Sequence, residues 1–326
     1  MAFTVDPTKF QFDESLRDGV AGKRVLITGA GKDGGLGQAF ALAAGLNGAA
    51  AVGVHFHSSY TDGFDLVAAL QRAGVAAFPL QADVTNFRDL WGSRSYVIDQ
   101  FDGLPPNLVI CNSGLTEKGY SFGRALREID DESRAQRRAR VRQSFIDNLT
   151  ESQTVLGTKI DGFLATTHLW AGEAVYANEP LRIVYVSSRQ AIDPGPSVPG
   201  YAVSNWAVLQ LPQVLSVNLG KSASLVSALS ILLPFVRTGM TGEYAENAKV
   251  FGRWQPRMLE THEAAEALLQ LLHQPAESTA GGMYELMVDP SAADAQGGVE
   301  VTWKQVHFDV REEDVAWSAT SPLRYG

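Results

Sequence analysis

Cysteine is almost missing from this chain: Cys111 is the only one in 326 residues. A single thiol excludes an internal disulfide framework and fits a reducing compartment, the cytoplasm. Long apolar runs are missing too. No uncharged run that is apolar throughout reaches the roughly 18 residues that a bilayer-spanning helix requires. Met1 to Leu16 holds no apolar core of the length a secretory signal needs. Positive charge is scarce, with 27 Lys and Arg against 36 Asp and Glu and a net charge of −9. That balance argues against nucleic acid or an anionic membrane as a partner. The histidines show no ligand spacing, since His168, His262 and His273 fall on helical patterns, so no metal site is expected. Internal repeats and low-complexity tracts are likewise absent.

What remains is a packable composition, 45% hydrophobic and 19% charged. Apolar runs alternate with helical patterns, the mark of βαβ units and a parallel sheet. Strands are predicted over 24–28, 50–56, 76–80, 108–111, 182–187, 225–233 and 283–288. Helices are predicted from the glycine-rich turn to residue 46, over about 152–171, over 201–219 and over 263–272. The sum is an α/β chain: one domain over residues 23–289 with a doubly wound, mostly parallel, seven-stranded sheet of the Rossmann type. Three stretches fall outside that plan. Residues 1–22 form a leader, and residues 115–155 a polar helical insert rich in arginine (Arg124 to Arg142). Residues 290–326 form a C-terminal extension, where Trp303, Phe308 and Trp317 imply packing rather than a free tail.

Thr28-Gly29-Ala30-Gly31-Lys32-Asp33-Gly34-Gly35-Leu36-Gly37 follows the first strand and opens a helix. A dinucleotide pyrophosphate needs a tight turn, bare backbone and a helix N-terminus with free N–H groups. Glycine supplies the first two because it lacks a Cβ. The position, at the first βα junction, favours a cofactor site over an ordinary strand–helix turn. The second strand ends His55-Phe56-His57-Ser58-Ser59, with no carboxylate before Asp62. An acid there would bind a ribose 2′-hydroxyl. Its absence leaves room for a 2′-phosphate, with His57 and Ser58 as candidate contacts, so NADPH is expected ahead of NAD(H). On the alternative reading the two histidines are strand residues only.

The chemistry-bearing cluster lies further on. Ser188 ends Val186-Ser187-Ser188. Tyr201 and Asn205 stand four apart in Tyr201-Ala202-Val203-Ser204-Asn205, on one helix face. Lys159 stands in Thr158-Lys159-Ile160-Asp161-Gly162. Ser188 followed by Tyr201 resembles the reaction centre of the short-chain dehydrogenases, in which a cation comes one helical turn after the Tyr, and the resemblance spans roughly residues 22–289. That superfamily usually carries its Lys where Asn205 stands here, and an Asn where Lys159 stands. The two residue types have changed places. The exchange resembles the ketoreductase domains of modular polyketide synthases, on Lys159-Ile160-Asp161-Gly162, Ser188, Tyr201 and Asn205.

A phenol is a poor acid near neutral pH unless its anion is stabilised. A nearby ammonium does that. Tyr201 is therefore expected to donate a proton, Ser188 to anchor a carbonyl, Lys159 to supply the cation from a neighbouring helix and Asn205 to act as a polar relay. The resemblance implies more. Asp83 and Val84 stand where the superfamily touches adenine, and Asn112-Ser113-Gly114 resembles its Asn-Ala-Gly, making Asn112 and Gly114 cofactor contacts. Pro234 and Thr238 match positions beside the cofactor amide. Thr28, Gly29, Gly31, Gly35, Leu36 and Gly37 match the phosphate turn, which is two residues longer than usual. Residues 237–256 have the composition of a substrate lid, with Met240, Tyr244, Phe251 and Trp254.

The function expected from the resemblance is reduction of a ketone, β-keto acyl or cyclic, to an alcohol. A small molecule or an acyl thioester would be the substrate, free or on an acyl carrier protein. A non-redox cyclase, epimerase or dehydratase on the same fold, and a non-catalytic nucleotide-binding homologue, stay open beside it. So does assembly as a homo-oligomer. The basic residues of the insert either steer an acidic partner or pair with its own Glu128, Asp130, Asp131 and Glu132.

Overall fold

The computed structural model describes residues 5–118, 126–195, 197–242, 247–252, 255–289 and 299–308. Arg124, Tyr244, Trp254 and Trp317 lie outside them. Eight strands form one sheet in the order β3-β2-β1-β4-β5-β6-β7-β8. They are β1 (Arg24–Ile27), β2 (Ala51–Phe56), β3 (Ala77–Gln81), β4 (Leu108–Cys111), β5 (Leu181–Ser188), β6 (Val226–Leu233), β7 (Met283–Asp289) and β8 (Glu300–Gln305). The first seven run parallel and β8 returns antiparallel along β7. The seven-stranded expectation is thus one short. The eighth strand comes from the C-terminal extension, which is anchored where Trp303 Nε1 donates to the Ala267 carbonyl at 2.8 Å. Beyond it, the Phe308 ring lies 4.5 Å from that of Trp206.

Helices cover both faces. On one side α1 (Leu36–Leu46), α2 (Tyr60–Arg72) and α8 (Thr261–His273) pack over the sheet. The leader packs there too, burying Phe10 and Val20. On the other side lie α3 (Phe87–Gln100), α4 (Arg134–Leu156), α5 (Gly162–Ala177), α6 (Pro199–Val208) and α7 (Leu211–Leu219). Parallel strands covered on both faces must be apolar along their whole length, and the four residues of β4 are all buried. Helix α4 carries Arg134, Arg137, Arg138, Arg140 and Arg142 of the insert, and two of them pair within it, Arg137 with Glu128 at 2.6 Å and Arg140 with Glu132 at 2.8 Å.

Two departures from the predicted helices bear on the site. The helix expected over 201–219 is two helices. Pro212 sits in the first turn of α7, where its missing N–H costs nothing, and the chain breaks just before it. The helix expected over about 152–171 is interrupted by a wide π-turn over Gly157–Asp161, which joins α4 to α5. Lys159 is its middle residue. Such widenings often re-aim a side chain at a functional site.

Candidate active site

The strand order reverses between β1 and β4, and a crevice opens beyond their C-terminal ends. Thr28 ties the two strand ends together: its Oγ1 accepts the N–H groups of Asn112 at 3.0 Å and Ser113 at 3.2 Å. Asn112 returns a bond to the Gly29 carbonyl at 3.1 Å. Gly29 has φ +66, and a Cβ there would meet Ser113 Cα at 2.8 Å. A Cβ on Gly37 would meet the Gly29 carbonyl oxygen at 2.3 Å, so α1 approaches the turn as only glycine permits. Asp33 and Gly34 of the turn are pinned down. Gln38 accepts from Gly34 N at 2.8 Å and donates to Asp33 at 3.0 Å, while Asp62 accepts from Asp33 N at 3.1 Å. Gly35 caps α1 without any side-chain hydrogen bond. The helix's first N–H groups are therefore left to whatever anion binds before it.

His55 holds the turn from below. Its Nδ1 accepts the Gly29 N–H at 3.1 Å, its Nε2 stands 3.0 Å from the Ala82 carbonyl, and its own carbonyl accepts from Ala30 N at 2.8 Å. The ring is thus a neutral Nε2–H tautomer joining the ends of β1, β2 and β3. Burial pulls its pKa down to about 4. Between pH 6.5 and 4 the unfolded chain binds a proton that the folded chain refuses, so stability must fall as pH drops through that window. The size is about 3 kcal/mol. Urea titrations at pH 7 and pH 4.5 should show a loss in the wild type that is much smaller in His55→Gln, which keeps a donor and an acceptor without titrating. An equal loss in both would refute the assignment.

A cavity of about 520 Å³ fills the crevice. Of the residues expected to bind cofactor, Gly29, Gly31, Gly35, Leu36, Gly37, His57, Ser58, Asn112, Gly114, Pro234 and Thr238 line it. Of the expected catalytic residues, Ser188, Tyr201 and Lys159 line it. Four others do not. Thr28 acts one layer out, as described. Asp83 bonds the N–H and hydroxyl of Thr85, at 2.9 and 2.8 Å. Val84 packs against the start of α5, where a Cβ on Gly162 would touch it at 2.7 Å. Asn205 is fully buried behind Tyr201. The lining also includes Lys32, Phe56, Ser59 and Thr116, which only contact in three dimensions reveals. No Asp or Glu lines the cavity among the described residues.

At the far end, Ser188 closes β5 and Tyr201 stands in the first turn of α6. Asn205 Nδ2 donates to the Tyr201 carbonyl at 2.8 Å, and its Oδ1 is buried without a partner. Burial raises the Tyr201 phenol above its ordinary pKa, while hydrogen bonding from Ser188 and Asn205 opposes the rise. Lys159 is 6% exposed, with its ammonium 4.9 Å from the centre of the Phe163 ring. Burial pulls its pKa down to about 7. A Cβ on Gly114 would stand 3.5 Å from its Nζ. No hydrogen bond among the described residues joins Lys159 to Tyr201. The arrangement can hold a polyanion at the α1 end and present a hydroxyl, a phenol and an amine to a polar group at the other.

The fold and crevice are those of a nicotinamide-dependent oxidoreductase, and comparison with known proteins gives the family. A family model described as short chain dehydrogenase matches residues 23–249. The chain belongs to that family and so to the NAD(P)-dependent oxidoreductases. No curated protein matches the sequence. Among solved structures, a 3-oxoacyl-[acyl-carrier protein] reductase from Brucella melitensis is similar at 22% identity and TM-score 0.64, over 87% of this chain and 96% of that one. A short chain dehydrogenase from Burkholderia cenocepacia in complex with NADP is similar at 19% identity and TM-score 0.64, over 82% and 96%. Another 3-oxoacyl-[acyl-carrier protein] reductase from Brucella melitensis, with bound NAD, is similar at 22% identity and TM-score 0.62, over 87% and 96%. At these identities the likeness establishes the fold.

Proposed function

We propose that this protein reduces a ketone to an alcohol with NADPH, on a β-keto acyl thioester or a related cyclic ketone. The observation that carries the reading is a single cavity whose wall joins an uncapped helix N-terminus to Ser188, Tyr201 and Lys159. The residues present fit a dinucleotide: the glycines would cradle it, the N-terminus of α1 would face its pyrophosphate, and no carboxylate among the described lining residues would oppose its charge. The bound cofactor would supply the hydride. Ser188 would hold the carbonyl oxygen and Tyr201 would give it a proton as charge develops. Lys159, in its protonated form, would favour the phenolate left behind. Its charge need not touch the phenol, because the lysine is buried and little water screens it.

The 2′-phosphate would lie where Lys32, His57, Ser58 and Ser59 meet. Asp62 is the nearest challenge to that preference, since it pairs with Lys32 at 3.5 Å. Yet Asp62 is also occupied by the Asp33 N–H and does not line the cavity. The two acyl-carrier protein reductases among the similar structures support an acyl thioester, free or carrier-bound, as substrate class.

The test is a panel of diketide thioesters and cyclic ketones, followed by loss of NADPH absorbance. The expected result is turnover with kcat/KM for NADPH at least about tenfold above that for NADH, the equivalent of about 1.4 kcal/mol. Conversion of hydroxyacyl or epimerisable substrates without any change in nicotinamide absorbance would favour the non-redox alternative instead. In that case Lys159, with its pKa near 7, would serve as base.

A further inference from the structure

We propose that Glu117 is a positioning residue that fixes the Tyr201 helix against the helix leading to Lys159. The proposal rests on the ketone-reductase reading above. Glu117 follows the Asn112–Thr116 loop, four of whose residues line the cavity. It is 3% exposed. Its Oε1 accepts the Gly200 N–H at 2.5 Å and the Ser152 hydroxyl at 2.9 Å, and its Oε2 accepts the Tyr201 N–H at 3.2 Å. One carboxylate thus joins three pieces of the cavity wall: the loop after β4, the last turns of α4 before Lys159, and the first turn of α6.

Helix α6 needs this cap. Its own N-cap residue is Val198, which offers no side-chain acceptor. The orphan N–H groups of a first turn must be satisfied by something. A carboxylate is well suited because the helix dipole favours negative charge there. No cation pairs with Glu117 among the described residues, so the helix terminus is what holds its charge. The contact is also sterically exact. A Cβ on Gly200 would fall 2.6 Å from Glu117 Oε1 and 3.0 Å from Ser152 Cα, so α6 and α4 meet at a glycine. Next to it, Lys118 N donates to Glu151 at 3.1 Å, a second tie to α4.

Glu117→Gln has the same size but a different donor pattern. The amide oxygen can keep Gly200 and Ser152, but its NH₂ then faces the Tyr201 N–H, donor against donor. A shift of Tyr201 by a fraction of an ångström is the result, and proton transfer is where that matters. The expected outcome for Glu117→Gln is a kcat for ketone reduction lower by about 30- to 100-fold, with NADPH Kd unchanged within about twofold. The solvent deuterium isotope effect on kcat should rise, because proton transfer becomes slower. Ser152→Ala, which removes one donor and leaves the carboxylate, should lose about three- to tenfold in kcat on the same pattern. In a Tyr201→Phe background neither change should cost anything further, since both act through the phenol.

Wild-type protein that binds NADPH but reduces no ketone would overturn the functional reading, and the role of Glu117 with it. Active wild type beside a Glu117→Gln variant of unchanged kcat would overturn the Glu117 role alone. So would parallel losses in kcat and NADPH affinity in both Glu117→Gln and Ser152→Ala, which would make Glu117 a general fold support.

Discussion

Tyr201→Phe should lower kcat for ketone reduction by at least about 10³-fold while changing NADPH affinity less than about twofold. The ring stays, so packing in the first turn of α6 is kept, and only the hydroxyl that faces the cavity is lost. A positioned acid contributes about 10²–10⁴ to such a step, and here no second side chain stands in for it. Ser188 has an alkanol's acidity, far too weak to give up its proton outright. Lys159 has a pKa near 7 but lies beside Gly114 and Phe163, with no hydrogen bond to Tyr201 among the described residues. Burial holds the Tyr201 phenol above its ordinary pKa, so at neutral pH it carries its proton and is ready to give it. Steady-state kinetics with the best ketone of the panel, together with NADPH titration by fluorescence, measures both quantities. Turnover within tenfold of wild type would remove Tyr201 from the chemistry.

Lys159→Met should show opposite effects on activity and stability. Activity should fall by about 10²-fold or more, through kcat, because the phenolate loses its cation. Lys32→Ala should cost much less kcat, because Lys32 is 70% exposed and stands at the other end of the cavity. Stability should rise. The folded pKa of Lys159 lies below its unfolded value of about 10.4, so the unfolded chain binds the extra proton between pH 7 and 10.4. Stability of the wild type therefore climbs with pH across that window, and below pH 7 the full cost of a buried charge is present. Removing the amine should relieve a few kcal/mol at pH 6 and very little above pH 10. The charged form is also the useful one, so wild-type kcat should decline as pH rises through about 7 to 8. That limb should vanish in Lys159→Met. Urea titrations at the two pH values and a pH–rate profile check the pair. A variant that loses stability at pH 6, or keeps the alkaline limb, would contradict the assignment.

Much of the fold could be read from patterns of apolar residues because parallel strands covered on both faces are apolar throughout. The predicted end of β4 at Cys111 is its observed end for that reason. β8 escaped because Glu300–Gln305 offers only Val301 and Trp303 as apolar residues, and what makes it a strand is the free edge of β7. The break before α7 carried a signal in Pro212. The π-turn at Gly157–Asp161 carried none, since a helix widens where the surrounding packing demands it. The site divides in the same way. Ser188, Tyr201 and Lys159 were named through the resemblance to the short-chain dehydrogenases and the polyketide ketoreductases, and all three line the cavity. Asp83 and Val84 were carried over by resemblance and lie outside that lining. Glu117 was invisible, because its value lies in Ser152, Gly200 and Tyr201, at least 35 residues away along the chain. His55 was half-visible, as a strand residue without a ligand role, and its clamp on Gly29 needed coordinates.

On the proposed reading, Lys159 and Asn205 have exchanged places without loss of the cation's task. Reversing the exchange tests it. Lys159→Asn alone should abolish most ketone reduction, and adding Asn205→Lys to it should bring back at least about tenfold in kcat by returning an ammonium to the helix of Tyr201. A folded, NADPH-binding double variant that is no faster than Lys159→Asn would show that this chain does not serve its phenol with a lysine from either side.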